Sequence, residues 1–371
     1  MRFRTLVLLP VALLPSGAAL GAARAPILLG ADVVGDAGGR PPNCYAPSIL
    51  VEYGQPSVRA LVRDQLAAMR AAGLASLRVF FTYDYDTSEN PFFVPAAQGR
   101  LIEPFRTNLI NYLSDIRAAG FLRVTLAFDA RPSVDPAQRF GPYNAATFDE
   151  SWNLIKDTVP LLKTYGPPDT RVDLLNEGAP SDYLTTQVSD YVTRMYASYV
   201  NTFGSHDVTV SAGFWPGMQH LVDALRASGK PLPEWFDLHP RWHHDTALAD
   251  LRTTDRQLTA NGISQPLVIG EEKYNDPEIA RAIAEFIQTS SRPVEEVIEW
   301  PLHLGGEDPA TSQKQCIDPP YRIDDYSLVL NGAAPSTRLS AVLTDKSLLF
   351  RAPSGQPVTA LEDRAVHGDR E

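Results

Sequence analysis

Eight short apolar runs, five to seven residues each, set the layout of this 371-residue chain. They are Ile27–Val33, Ser76–Thr82, Leu122–Phe128, Val172–Asn176, Val208–Gly213, Trp235–His239, Pro266–Glu271 and Val294–Trp300. Their starts lie 27 to 50 residues apart, too far for hairpins and far enough for a helix that returns the chain to the same end. The runs are apolar almost throughout, the pattern of parallel strands covered on both faces. Between them amphipathic stretches recur. Ser57 to Ala72 sets Val58, Leu61, Leu66 and Met69 on one helical face and stops at Gly73. Phe105 to Ala119 repeats the design with Leu109, Ile110, Leu113 and Ile116 before Gly120, and Asp182 to Phe203 and Pro277 to Ile287 have the same character.

Alternating strands and helices around a parallel sheet leave two architectures, an open doubly wound sheet or a closed (β/α)8 barrel. No glycine-rich phosphate loop comes after the first run, where Gly30-Ala31-Asp32 leads into a Gly/Pro-rich loop, so the dinucleotide-binding version loses its support. The expected fold is α/β, a single-domain (β/α)8 TIM barrel over residues 26–345 with long loops after strands one, two and eight. Pro301 to Pro335 reads as one of those loops. Residues 346–371 read as a C-terminal hairpin, Leu348 to Leu361 split by Pro353-Ser354-Gly355, and a tail. An eighth helix, at Thr337 to Leu343, stays open.

Residues 1–23 read as an address. Arg2 and Arg4 precede an apolar run from Leu6 to Leu14, then Pro15-Ser16-Gly17 and a small-residue stretch, the three-part build of a secretory signal peptide with cleavage expected after Ala23. The run is shorter than the roughly 20 apolar residues a membrane span needs. A secreted or periplasmic protein is expected, free of the membrane once the signal is removed. With 44 acidic and 33 basic residues the formal charge is −11, which repels polyanions and argues against nucleic acid as a partner. Cys44 and Cys316 are the two cysteines. They fall in the loops after strands one and eight, which closure makes neighbours, so a disulfide between them is expected in an oxidising compartment.

In a (β/α)8 barrel, chemistry sits at the C-terminal strand ends. The fourth run ends in Leu174-Leu175-Asn176-Glu177 and the seventh in Ile269-Gly270-Glu271-Glu272. Two carboxylates facing one another across a barrel mouth are what double-displacement glycoside hydrolysis uses, one protonated and one ionised. Adjacent residues on a regular strand point to opposite faces, so only one of Glu271 and Glu272 can serve.

These strand ends resemble those of the clan A retaining glycoside hydrolases, whose barrels include cellulase-, mannanase- and xylosidase-like enzymes. The resemblance spans about Ile27 to Trp300. It implies that Glu177 is the acid/base and Asn176 holds the sugar 2-hydroxyl. Glu271 becomes the nucleophile, with Glu272 in reserve, and Arg78 in Leu77-Arg78-Val79 keeps it ionised. His239 resembles the histidine ending strand six, and Trp300 the tryptophan that floors the sugar site. Two departures stand out: Pro240-Arg241-Trp242 replaces the usual tyrosine two residues after the histidine, and Glu272 replaces an aromatic after the nucleophile. Tyr83, Tyr85, Trp215 and Trp242 are further candidates for stacking on sugar rings. The implied partner is a β-linked carbohydrate, the implied protein a monomer without metal or cofactor.

Two other readings stay open. Asp237, His239, His243, His244 and Asp245, with His303, could serve a metal-dependent barrel hydrolase, although strand one lacks a His-x-His pair. The chain could also be a non-catalytic barrel that binds carbohydrate in the cell envelope.

Overall fold

The computed structural model describes residues 28–33, 49–71, 73–84, 93–95, 99–130, 145–180, 185–213, 217–241, 243–273, 276–300, 306–307 and 314–315. The expected signal segment, both cysteines, the C-terminal hairpin and most of the three long loops lie outside these residues.

Each apolar run contributes a strand. They are β1 (Leu28–Val33), β2 (Ser76–Asp84), β3 (Arg123–Ala130), β4 (Asp169–Asp173), β5 in two pieces (Val208–Thr209 and Ser211–Gly213), β6 (Phe236–His239), β7 (Leu267–Lys273) and β8 (Val294–Trp300). Among the described residues seven α-helices alternate with them: α1 (Pro56–Ala71), α2 (Phe105–Ala118), α3 (Ala145–Tyr165), α4 (Thr185–Phe203), α5 (Gly217–Ala227), α6 (His244–Ala260) and α7 (Pro277–Thr289). The periodicity named four of these. The other three are α3, with Pro160 inside it, α5 and α6, which begins within the His243-His244-Asp245 run.

Every ladder among these eight strands is parallel. The first piece of β5 pairs with β4, and the order continues through β3, β2, β1, β8, β7 and β6 to the second piece of β5. The path thus begins and ends on one chain segment, interrupted only at Val210. Strands one and eight are hydrogen-bonded neighbours, with Leu28 opposite Glu296. Val94–Pro95 adds a short strand beside the end of β2. Within Pro301 to Pro335, expected as loop, Gly306–Glu307 and Lys314–Gln315 form a small antiparallel pair.

Helix faces and strand parity explain the core. In α1, Val58, Val62, Leu66 and Met69 are buried, and Gly73 ends the helix with a φ of 96° that only glycine adopts at little cost. In α2, Tyr112 joins Leu109, Leu113 and Ile116 inside, while Ile110 lies at the edge. In β2, Leu77, Val79, Phe81 and Tyr83 belong to the apolar cluster shared with the helices. Arg78 and Phe80 therefore point to the other face.

That other face is ionic at the N-terminal strand ends. Arg123 on β3 donates to Glu296 on β8 at 3.0 Å although β2 and β1 lie between them in the ladder, so the sheet is strongly curved. Arg123 also pairs with Asp169, and Arg171 with Glu295. The Arg171 guanidinium lies 4.1 Å from the Trp235 ring centroid. Arg123→Leu would remove the hydrogen-bonded cation of the buried Glu296 carboxylate and leave only Arg171, at 3.9 Å. We expect a loss of about 3 kcal/mol, the cost of breaking a buried ion pair from one side, read as a lower urea midpoint at unchanged slope.

Candidate active site

Arg78 organises the opposite, C-terminal side. Its side chain is fully buried, and it reaches three acceptors on two other chain segments. Nη1 donates to Glu271 Oε1 at 2.8 Å, and Nη2 donates to Asp173 Oδ2 at 2.7 Å and Asn176 Oδ1 at 2.6 Å. The guanidinium also lies 4.7 Å from the Phe80 ring centroid. A buried cation needs such partners, and they fix its planar fork.

Asp173, the last residue of β4, is fully buried and satisfied on both oxygens. Oδ1 accepts from Ser211 N at 3.0 Å and Leu175 N at 3.3 Å, and Oδ2 accepts from Ser211 Oγ at 2.7 Å. Ser211 Oγ in turn accepts from Glu177 N at 2.8 Å. Capture of the backbone by Asp173 explains why β4 stops three residues before the expected Asn176. Beyond Asp173 the chain makes a tight turn, with Gly178 N bonded to Leu175 O and Glu177 at a φ of 49°. A left-handed glutamate is strained, and such strain persists where surrounding bonds over-determine the backbone. Here it swings the Glu177 side chain over Gly213, where a Cβ would lie 2.8 Å from Glu177 Oε1.

Glu177, Glu271 and His239 converge. His239 Nδ1 lies 3.3 Å from Glu177 Oε1 and 3.3 Å from Glu271 Oε1. One carboxylate oxygen of each glutamate and the ring nitrogen all fall within 4.8 Å of one another. The Glu177 side chain is 45% exposed while those of Glu271 and His239 are 9% and 4% exposed, so solvent and ligand reach the cluster from the Glu177 side. Such a trio can attract a divalent cation. The Arg78 guanidinium, bonded to Glu271 Oε1, sets a fixed positive charge against the trio, which works against a metal cation there.

Beneath His239 lies Asp237, on the same strand and 1% exposed. Its Oδ1 is 3.7 Å from His239 Nε2. Burial pushes its carboxyl up to about 6, with His239 and Arg78 opposing the shift.

Strand seven settles which glutamate faces Arg78. Between Ile269 and Glu272 it holds one more residue than β8 has between their register partners, Val297 and Glu299. This bulge breaks the alternation and turns Glu271 toward Arg78, as bulges beside sites commonly do. Glu272 is 2% exposed and sits at the register position of Glu299.

Tyr83 is a correction. It is fully buried on the helix-facing side of β2, its ring centroid 6.3 Å from those of Phe81 and Phe128, so it offers no face to a sugar. Its spacing from Arg78, an odd number of residues, already places it on the opposite face. The Asp/His run of strand six is divided: Asp237 and His239 point to the site, whereas His243 precedes α6 and His244 contacts Asp245 at 2.9 Å on its first turn. Trp300 ends β8, while Tyr85, Trp215, Trp242 and His303 lie outside the described residues. Two residues of the network, Asp173 and Ser211, went unnoticed in the sequence. The signal for Asp173 was there: a carboxylate inside an apolar strand calls for a buried cation.

No family model matches the sequence, and no curated protein matches it. Among solved structures, a glycoside hydrolase 5 lichenase variant from Caldicellulosiruptor sp. F32, in complex with cellotetraose, superposes with a TM-score of 0.51 at 11% identity, covering 87% of this chain and 98% of that one. A GH113 β-1,4-mannanase gives 0.50 at 11% identity, covering 83% and 98%. ZgEngAGH5_4, in complex with a cellotriose, gives 0.50 at 15% identity, covering 83% and 96%. These are clan A glycoside hydrolases with a (β/α)8 fold, and it is their fold, with no single family of the clan, that this chain shares.

Proposed function

We propose that this protein is a retaining glycoside hydrolase that cleaves β-linked poly- or oligosaccharides through a covalent glycosyl-enzyme, on a (β/α)8 barrel closed through β5. One observation carries the reading: Glu177 and Glu271 leave different strands and meet at His239 with carboxylate oxygens within 4.8 Å. Retaining pairs stand about 5 to 5.5 Å apart, whereas inverting pairs leave about 6.5 to 9.5 Å for a water. The close approach favours direct attack by one carboxylate.

The surroundings divide the roles. Glu271, held against Arg78 at 2.8 Å, keeps its negative charge and its aim, and attacks the anomeric carbon. Glu177, on the exposed side, protonates the departing oxygen and then, ionised, takes a proton from the water that releases the sugar. Asn176 Oδ1 accepts from Arg78, which leaves its amide N–H to donate to a sugar hydroxyl. Trp300 at the end of β8 would floor the sugar, with Trp215 and Trp242 as stacking faces. The chemistry calls for no metal or cofactor. The N-terminal address would deliver the enzyme to the periplasm or the medium, where a Cys44–Cys316 bridge could form and where it would work as a monomer.

The test is a screen of β-linked polysaccharides and aryl glycosides with product analysis. Glu177→Gln and Glu271→Gln should each lower turnover by about a thousandfold or more, with the melting temperature nearly unchanged for the exposed Glu177 and lowered for Glu271, whose loss takes a carboxylate from the buried Arg78. Azide should partly rescue Glu271→Ala and give a product of inverted configuration. Undiminished activity in either glutamine variant removes that residue's role, and glycan binding without cleavage by the wild type removes the enzyme reading in favour of a binding barrel.

The left-handed backbone at Glu177 allows a second prediction. Glu177→Gly should abolish hydrolysis yet stabilise the fold by up to about 1 kcal/mol, because glycine relieves the strain of a positive φ. A lower melting temperature than the glutamine variant would contradict it.

A further inference from the structure

Under the site, two buried polar atoms face each other with no hydrogen-bond partner among the described residues. They are Asp237 Oδ1 and His239 Nε2, 3.7 Å apart. An unpaired buried polar atom is costly, and one proton between these two would satisfy both. The room for the carboxyl is made by Gly270, where a Cβ would fall 2.1 Å from Asp237 Oδ1. On the far side of the same ring, Nδ1 makes its hydrogen bond with Glu177 Oε1 and stands the same 3.3 Å from Glu271 Oε1, which Arg78 also holds. Asp237, His239 and Glu177 therefore form a line from the sheet interior to the exposed mouth.

We propose that Asp237 is a positioning residue that fixes the tautomer of His239 and thereby holds the acid proton on Glu177. This deepens the glycosidase reading and rests on it. An ionised Asp237 accepts only, so it binds the ring with the proton on Nε2. Nδ1 is then a bare acceptor, and the hydrogen in its bond with Glu177 belongs to the carboxyl. When the glycosidic bond breaks, that O–H bond breaks too. The proton forms the new O–H of the leaving group, and its electron pair stays on Glu177. With Asp237 protonated, its O–H would donate to Nε2, Nδ1 would carry the hydrogen, and Glu177 would be held ionised, the wrong state for an acid. The charges facing Asp237 are His239 on its own strand, Arg78 on β2, Asp173 at the end of β4 and Glu296 on β8. The carboxyl titrates at about 6, so the productive tautomer belongs to the range above that value.

Asp237→Asn is nearly isosteric and should fold. Because burial raises the Asp237 carboxyl in the folded state, the wild type loses stability as pH rises from the unfolded carboxyl range through about 6. The amide escapes that loss, so above pH 6 the variant should melt no lower than the wild type. Its amide N–H donates to Nε2 and reverses the tautomer, as an Asp→Asn change does in a serine-protease triad.

Two measurements test the proposal. Nitrogen-15 NMR of histidine-labelled wild type, with His239 assigned by comparison with His239→Gln, should show the proton on Nε2 at pH 7 to 8. A proton on Nδ1 there overturns the proposal, whether or not any glycan is cleaved. The second is kcat/KM for Asp237→Asn on a 2,4-dinitrophenyl β-glycoside, whose leaving group needs no proton, and on an unactivated β-linked oligosaccharide. The variant should lose at least about tenfold more on the oligosaccharide, since acid assistance is worth roughly a hundredfold or more. Equal losses on both substrates would make Asp237 a packing residue and overturn the proposal. If the wild type cleaves neither, the glycosidase reading fails, while the tautomer still decides the role of Asp237.

Discussion

The Arg78 guanidinium is the constraint on which the site depends. One cation, sealed from solvent, ties β2 to Asp173 at the end of β4, to Asn176 in the turn beyond it, and to Glu271 on β7. Strands that are not neighbours in the ladder are drawn to a common point, and two carboxylates share one charge they cannot leave. Asp173 passes the constraint on through Ser211 to the backbone of Glu177. The geometry of the exposed glutamate is thereby set by a residue it does not touch, which is the support a preorganised site requires.

Much of this was legible in the sequence because it depends on period and spacing. Eight apolar runs at crossover distances left few topologies, and each run became a strand. Boundaries shifted by a residue or two, except at β4, which Asp173 ends early by taking backbone N–H groups that a continued strand would have used. Helix α3 was hidden by Pro160, and α6 by a histidine pair that reads more readily as chemistry than as a helix start. Tyr83 shows how an aromatic near a strand end misleads when parity is not applied. Asp237 shows the reverse: its spacing sets it in the company of histidines, whereas what matters is its burial beneath one of them, which no spacing reveals.

The interior concentrates like charge. Asp173, Asp237, Glu271 and Glu177 approach one another around Arg78 and His239, a combination that costs folding energy. Gly213 and Gly270 make the crowding possible, each giving its missing side chain's space to a carboxylate. In both places the glycine serves close approach rather than an unusual backbone.

The extra residue in β7 has a consequence for how such chains diverge. Against the stretch of β8 from Val297 to Glu299, one inserted position turns Glu271 toward the guanidinium. Loss of one residue between Ile269 and Glu272 would restore regular pairing and leave Glu272 opposite Glu299; were Gly270 the residue lost, Glu271 would take the position whose missing Cβ makes room for Asp237. The strand therefore cannot shed its extra residue without either removing Glu271 or driving its side chain against Asp237. Where relatives of this chain are aligned through β7, a gap of one position therefore marks a rebuilt pocket around Arg78 rather than a simple shortening of the strand.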